Sequence, residues 1–426
     1  MKNLSPFYIL NRIFLLMVIC TISLSGFGVA DSTANEEEIP LYALIPTGED
    51  MLSKGEATKA ALEIASEDMN TLYEKIGSKK RVILNTTDYT LEPGSALAAI
   101  AQLNSLGIHM VLGYFASSEL TEIKPFADSH DMLILSTGST ATSLSVDDNI
   151  LRFNPDDSNM ADTIVMLLKN EGIHDIVPLV RDDIWGNELS SLIHEKMETV
   201  MTLDDIERYD PEAGSYEDIV SRLDTRVGVV LAEEKAENVG VLAVTFGEIV
   251  PIMEEASDAK YPNLSLVRWF GTDGNTLIPD ITNSRVASKF AEDQKFTGTT
   301  YSRFIMAQET PVTGEFITKI GYDPDGYAYA TYDMAKIAVQ AIELKGSDDA
   351  HALKTAVTAV ADMYSGPTGE TSLIETGDRS EIHYAFWTVT TDSSGKGTWE
   401  FVGEANKWEG ESSPVITMKE DHLDEN

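Results

Sequence analysis

The chain has 426 residues, of which 43% are hydrophobic, so it is long enough for one large globular domain or two ordinary ones. It carries 31 Lys and Arg against 70 Asp and Glu, a formal net charge of −39 at pH 7. A surface this acidic is repelled by phosphate backbones and anionic head groups, which argues against nucleic acid and anionic lipid as partners.

Residues 1–30 predict an export signal. Lys2 and Arg12 precede an uncharged apolar run that ends in small residues, a pattern that fits cleavage after Ala30. The alternative is an uncleaved membrane anchor, because the run is nearly long enough to span a bilayer. The only cysteine, Cys20, lies inside this run, so the chain after it has no disulfide. We expect an extracytoplasmic protein, in the periplasm or at the outer cell surface.

Up to residue 150, short apolar runs alternate with segments at helical spacing. The runs predict strands at "IPLYALI" from residue 39, "RVILN" from 81, "HMVLGYF" from 109 and "MLILS" from 132. Between them we predict helices from Lys54, around "GSALAAIAQLNSLG" and from Ser117. This alternation indicates parallel strands joined by crossover helices.

The same pattern restarts near "ILRFNPDD" at residue 150. It predicts helices at "MADTIVMLLKNEGI", "WGNELSSLIHEKMETV" and "SYEDIVSRLDTRVGVVLAEEKAEN", and strands at "DIVPLV", "DIERYDP" and "VGVLAVTF". Helix is expected again from Gly326 to Tyr364, followed by a closing hairpin in "HYAFWTVTTDSSGKGTWEFVG". Residues 413–426 are expected to be a polar tail that frays.

Signatures of enzymes are sparse in this chain. It has no phosphate-binding loop, no dinucleotide fingerprint, no Gly-x-Ser-x-Gly elbow and no His-x-x-x-His pair, and its seven histidines show no ligand spacing. We therefore expect a binding protein without catalytic residues, cofactor or metal.

Polar groups follow three predicted strands, at the sheet edge where open α/β sheets bind ligands. Ser117 starts a helix after a strand, and helix starts attract carboxylates. The window from 135 to 145 holds seven hydroxyl side chains and a glycine, with Thr140 able to donate and accept. Asp273 lies in a glycine-flanked turn after a third strand. Helix capping and turn formation explain Ser117 and Asp273 equally well. Together, however, these groups would hold a zwitterion.

The chain resembles the extracytoplasmic solute-binding proteins of branched-chain amino acid ABC transporters. The resemblance is carried by "VILNTTDYTLEPGSALAAI", "MVLGYFASSELTEIKPFADSHDMLILSTGSTATSLS", "LRFNPDDSNMADTIVMLL", "VRDDIWGNELSSLI", "FGTDGNTL" and "YAYATYDMAKIAVQAI", in order between residues 39 and 405. It implies the type I periplasmic-binding fold, an α/β fold of two Rossmann-like lobes joined by three crossovers. Lobe 1 would comprise 39–154 and 300–364, and lobe 2 would comprise 155–299 and 365–412.

The resemblance also implies the site residues. Ser117 and Thr140 would bind a ligand carboxylate, and the carbonyl of Gly138 and the carboxylate of Asp273 would bind its ammonium. Ser139 is expected to contact the ligand as well.

The side-chain end of this site departs from the family. Trp185 stands where a tyrosine is frequent, and a second wall position falls at Thr245 or Phe246. Lys54 lies near the first loop, either as a solvated residue at a helix start or as a contact to an acidic or carbonyl-bearing ligand. We expect ligands with a polar or aromatic side chain to be preferred over leucine.

The resemblance implies a monomeric protein that captures an amino acid or related small zwitterion and delivers it to an ABC transporter permease. The alternative is a receptor domain that senses an amino acid, an amide or a small carboxylate.

Overall fold

The computed structural model describes residues 36–48, 51–197, 206–303, 310–346, 349–407 and 413–419. The predicted signal or anchor, residues 1–30, lies outside these ranges. Across the described residues, no helix is both long and apolar enough to cross a membrane.

The first part of the chain builds a five-stranded sheet in the order β2-β1-β3-β4-β5. Its strands are β1 (Glu37–Pro46), β2 (Lys80–Tyr89), β3 (Met110–Gly113), β4 (Leu133–Ser136) and β5 (Ile150–Arg152). The pairs β1–β3, β3–β4 and β4–β5 are parallel. Every residue of β3 and β4 is buried, as expected for central strands with helices on both faces.

Helices α1 (Leu52–Lys75), α2 (Ser95–Ser105) and α3 (Ser117–Ser129) follow β1, β2 and β3. Three later helices pack beside them: α10 (Pro311–Ile320), α11 (Gly326–Lys345) and α12 (Ala350–Ala361). One apolar cluster joins α1, α11 and α12 to the inner strands, so the C-terminal third of the chain completes the first layer.

The second part builds an eight-stranded sheet in the order β15-β14-β13-β10-β9-β8-β6-β7. The strands are β6 (Asp175–Arg181), β7 (Glu207–Tyr209), β8 (Val239–Val244), β9 (Arg268–Gly271), β10 (Thr297–Tyr301), β13 (Ile382–Thr391), β14 (Gly397–Lys407) and β15 (Val415–Met418). Strands β6 to β10 pair in parallel, whereas β13, β14 and β15 extend the sheet antiparallel. A two-residue pair, β11 (Ser365–Gly366) and β12 (Gly369–Glu370), precedes β13.

Six helices accompany this sheet: α4 (Asp157–Asn170), α5 (Ile184–Met197), α6 (Glu217–Val230), α7 (Ile249–Ala256), α8 (Pro279–Asn283) and α9 (Arg285–Asp293). The alternation of strand and helix predicted from the sequence is confirmed, and so is the closing hairpin of β13 and β14. The predicted α/β fold with parallel sheets is therefore correct.

The C-terminal tail is the clearest correction to the sequence analysis. We predicted that residues 413–426 fray, but Val415–Met418 form β15, which pairs with β14 from Gly403 to Asn406. A short segment of β-branched residues is stabilised there by the open edge of a long strand, which a local reading of composition does not reveal. Residues 420–426 lie outside the described chain.

The chain passes from the first sheet to the second after β5, returns after β10, and passes over again after α12. The boundaries of the two lobes near residues 154, 300 and 365 stay a prediction. What matters for function is that the carboxyl ends of β3 and β4 in one sheet, and of β6, β8 and β9 in the other, contribute residues to a common cavity.

Candidate ligand-binding site

A small cavity is lined by loops from both sheets. Its walls are Tyr114, Ala116, Ser117 and Gly138 from the first sheet and Trp185, Phe246, Asp273 and Gly274 from the second. Its free volume of about 10 Å³ has room for a single water molecule. Five of the eight residues predicted for the site therefore lie on one cavity.

The hydroxyl groups of Ser117 and Ser139 contact each other at the first-sheet side of the cavity. Their Oγ atoms lie 3.0 Å apart, and both residues are buried. Ser117 is not the N-cap of α3: Ala116 takes that position, and Ser117 is the first helical residue. Its side chain is therefore directed to the neighbouring loop, and the capping explanation of this serine is wrong.

Gly138 is held closely between the end of β3 and the hydroxyl loop. A Cβ at this position would lie 2.6 Å from the carbonyl oxygen of Phe115 and 2.8 Å from the ring of Tyr114. Any larger residue would displace backbone or aromatic atoms that line the cavity. Glycine here permits the close approach of two strand ends, which the sequence did not predict.

Thr140 is buried beside the start of α4. Its carbonyl oxygen accepts a hydrogen bond of 2.8 Å from the backbone N–H of Asp157. The preceding carbonyl, of Ser139, accepts a hydrogen bond of 2.7 Å from Asn154 Nδ2. The hydroxyl loop is thereby fixed by residues that follow β5.

Asp273 is buried, with 6% of its surface exposed. Its Oδ2 accepts a hydrogen bond from the hydroxyl of Tyr327, the second residue of α11, and its Oδ1 has no hydrogen-bond partner among the described residues. Burial raises the pKa of Asp273, while the Tyr327 hydroxyl and the Lys54 ammonium oppose that increase. A surface turn residue would not be placed in this way, so turn formation alone does not explain Asp273.

A second carboxylate, Asp157, lies fully buried in the first turn of α4. The Thr140 hydroxyl interacts with this carboxylate, and no other hydrogen-bond donor reaches it within the described part of the chain. Burial and the nearby charge of Asp273 raise the pKa of Asp157 well above its ordinary value. Asp157 does not line the cavity, but together with Asp273 it makes this end of the site acidic and suited to a positively charged group.

Lys54 connects the first layer to Asp273. Its Nζ donates a hydrogen bond of 3.0 Å to the backbone carbonyl of Asp273 and forms an ion pair with Asp325, the N-cap of α11. The side chain is only 6% exposed, so the interpretation of Lys54 as a solvated residue is wrong. Its ammonium is occupied by protein oxygens and lies 5.7 Å from the centre of the Tyr327 ring.

Trp185 and Phe246 form a flat aromatic wall. Their ring centroids lie 4.7 Å apart and their planes differ by 11°. Gly274 packs against both rings, since a Cβ there would lie 2.7 Å from each of them. Trp185 is the second residue of α5, after β6. Phe246 lies in the loop after β8, although the sequence predicted it as the last residue of that strand.

The sequence analysis missed five residues that shape the site: Tyr114, Asp157, Arg181, Asp325 and Tyr327. Only Asp157 could have been found from the local sequence. Two aspartates stand at this helix start, and Asp156 alone serves as the N-cap, so the second aspartate needs another explanation. The others are aromatic or charged residues whose place depends on contacts between segments far apart in the chain.

A family model and a relative each match most of this chain. A family model described as "Periplasmic binding protein" matches residues 44–396. An uncharacterized protein of Methanocaldococcus jannaschii is 26% identical over 396 residues, which cover 87% of this chain and 90% of that protein.

Two solved structures share the fold at low sequence identity. The leucine-binding protein LivK of Thermotoga maritima is 17% identical with a TM-score of 0.65, covering 90% of this chain and 100% of that one. The branched-chain amino acid transporter substrate-binding protein LivJ of Streptococcus pneumoniae, in complex with isoleucine, is 13% identical with a TM-score of 0.65. It covers 86% of this chain and 99% of that one.

Proposed function

Because this chain belongs to the periplasmic binding protein family, we propose that it is an extracytoplasmic solute-binding protein for an amino acid or a similar small zwitterion. The observation that supports this ligand is a cavity with the Ser117 hydroxyl and a helix start on one side and the buried carboxylate of Asp273 on the other. The Oδ1 of that carboxylate has no hydrogen-bond partner among the described residues. A ligand with a carboxylate and an ammonium satisfies both ends.

The carboxylate end is proposed to be formed by Ser117, Ser139 and Thr140. The start of α3 presents backbone N–H groups and the positive end of the helix dipole, both of which stabilise an anion. The hydroxyl groups add donors that rotate to suit the ligand. None of the described residues that line the cavity has a cationic side chain, so dipoles and hydroxyl groups would hold the anion.

The ammonium end is proposed to be formed by Gly138, Asp157 and Asp273. An ammonium has three N–H donors, and the Gly138 carbonyl, the free Oδ1 of Asp273 and the carboxylate of Asp157 are three acceptors of the required kind. A buried carboxylate without a donor is costly, and the ligand ammonium relieves that cost. Ligand binding thus supplies further hydrogen-bond donors to two buried carboxyl groups and favours their ionised form.

We propose that the two lobes, 39–154 with 300–364 and 155–299 with 365–412, separate to admit the ligand. The cavity has room for one water molecule only, so an amino acid cannot enter without such a movement. Opening breaks the bonds from Lys54 and Tyr327 to Asp273, and from Thr142 and Ser143 to Glu188. The protein would act as a monomer and present its ligand to an ABC transporter permease.

The preference for a polar or aromatic ligand side chain now rests on the wall of Trp185 and Phe246 together with Tyr114. Lys54 no longer supports it, because its charge is paired with Asp325. Flat rings favour groups that stack or pack broadly against them.

A thermal-shift screen of the purified full chain against amino acids, amides and small carboxylates tests this function. A ligand at 100 times its dissociation constant adds about 2.7 kcal/mol to the free energy of unfolding. The best amino acid should lose its effect when it is N-acetylated or converted to its methyl ester, since each change removes one charged end. Stabilisation by carboxylates without an amino group, and by no amino acid, would contradict the proposal.

A further inference from the structure

A buried guanidinium lies behind the aromatic wall. Arg181 is the last residue of β6 and is 4% exposed. Its guanidinium carbon lies 3.9 Å from the centre of the Phe246 ring. Trp185 stacks on the same ring at 4.7 Å. Two flat groups this close cannot share one ring face, so Arg181, Phe246 and Trp185 form a three-layer stack.

The guanidinium is held in place by two carboxylates. Its Nη1 donates a hydrogen bond of 2.6 Å to Glu248, which also accepts one of 2.7 Å from the Tyr209 hydroxyl. Its Nε donates to Asp183 Oδ2. The two carboxylates hold the guanidinium carbon over the Phe246 ring.

One of these carboxylates, Asp183, also fixes the backbone next to Trp185. Asp183 Oδ1 accepts a hydrogen bond of 2.8 Å from the N–H of Gly186, next to Trp185. Gly186 packs on the Arg181 carbonyl, which would lie 2.3 Å from a Cβ at that position. Glu248 directly precedes α7 and follows Phe246 by two residues.

We propose that Arg181 is a positioning residue that sets the orientation of the Trp185–Phe246 wall and thereby the ligand side chains that the site accepts. The inference rests on the proposed function, because the wall selects ligands only if the cavity binds them. Arg181 itself is not among the cavity-lining residues, so it acts through the two rings. Without it, Phe246 loses the support on one face and the wall rotates.

The experiment uses the full chain with Arg181→Met, Arg181→Lys and a matched control, Arg268→Met. Arg268 also pairs with a glutamate, Glu171, and lies 5.2 Å from an aromatic ring, Phe270, but at the start of β9, away from the cavity. The control therefore removes a comparable contact without touching the wall.

The first readout needs no ligand. The chain has five tryptophans, so the emission of Trp185 is obtained as the difference between each protein and the same protein with Trp185→Phe. We expect Arg181→Met and Arg181→Lys to shift this emission, because neither side chain has a flat face to stack, and Arg268→Met to leave it unchanged. An emission of Trp185 that is equal in Arg181→Met and Arg268→Met would overturn the positioning role.

The second readout is the ratio of dissociation constants for L-leucine, L-phenylalanine and L-glutamine. We expect Arg181→Met to change at least one ratio threefold or more, and Arg268→Met to change all of them less than twofold. Ratios that stay constant in Arg181→Met would overturn the role in selectivity. If wild type binds none of the three and the screen finds no amino acid, the proposed function fails, while the emission still decides whether Arg181 orients the wall.

Discussion

Replacing Asp273 by Asn tests the ammonium end of the site with the least change in shape. The carboxylate of Asp273 is buried. Its Oδ2 accepts a hydrogen bond from Tyr327, and no described residue donates to its Oδ1. Its raised pKa means that ionisation at pH 7 is unfavourable for the fold. Asn removes the charge and keeps an acceptor for Tyr327. Without ligand, the free energy of unfolding of Asp273→Asn should therefore equal or exceed that of wild type.

The affinity for the ligand, in contrast, should be lower in Asp273→Asn than in wild type. A charge-assisted hydrogen bond contributes about 1.5–3 kcal/mol, so an amino acid should bind about 10- to 150-fold more weakly to Asp273→Asn. Calorimetric titration of the best amino acid from the screen measures this loss, and its analogue without the amino group should bind both proteins within about twofold. Asp280→Asn, an exposed residue of α8, is the matched control and should change neither quantity.

One result would refute the amino-acid assignment. If Asp273→Asn binds as tightly as wild type while Thr140→Ala abolishes binding, the ligand is held as an anion or a neutral molecule. The ligand would then be a carboxylate or an amide, and the role of Asp273 would be confined to its bond with Tyr327.

Three further changes have defined outcomes. Lys54→Met removes a buried ammonium that bonds to the Asp273 carbonyl and to Asp325. Because this weakens a contact between the two lobes, small-angle scattering of the variant without ligand should show a larger radius of gyration than wild type. An unchanged radius would argue against a bond across the cleft. Gly138→Ala forces a Cβ against the Phe115 carbonyl and should lower the free energy of unfolding by about 1–3 kcal/mol, whereas Gly314→Ala, in open space, should not. Burial raises the pKa of Glu119 to about 7, so its contribution to stability is present at pH 4.5 and lost as the pH rises through 7. The free energy of unfolding of Glu119→Gln, measured in urea, should rise by about 3 kcal/mol relative to that of wild type as the pH rises from 4.5 to 7. A difference between the two proteins that is the same at both pH values would show that Glu119 does not titrate in this range.

The sequence by itself determined most of the alternation of strands and helices and the sheet edge at which polar groups collect. It did not predict β10 or the helices α7 to α10. Apolar runs and helical spacing are local patterns, and parallel strands place all their carboxyl ends at one edge. Ser117, Gly138 and Asp273 each follow a strand, so their meeting at one cavity could be predicted from topology. Their ligand roles remain predictions.

Tertiary structure alone decided which charges are left unpaired and which are neutralised. Lys54 pairs with Asp325, a residue 271 positions away, and Tyr327 reaches Asp273 from a helix that the chain forms much later. Arg181 stacks on Phe246 because two neighbouring strands bring them together. Such contacts depend on distances between segments remote in sequence, and no local pattern of residue types encodes those distances. The same reason explains β15, whose four residues become a strand only beside the free edge of β14.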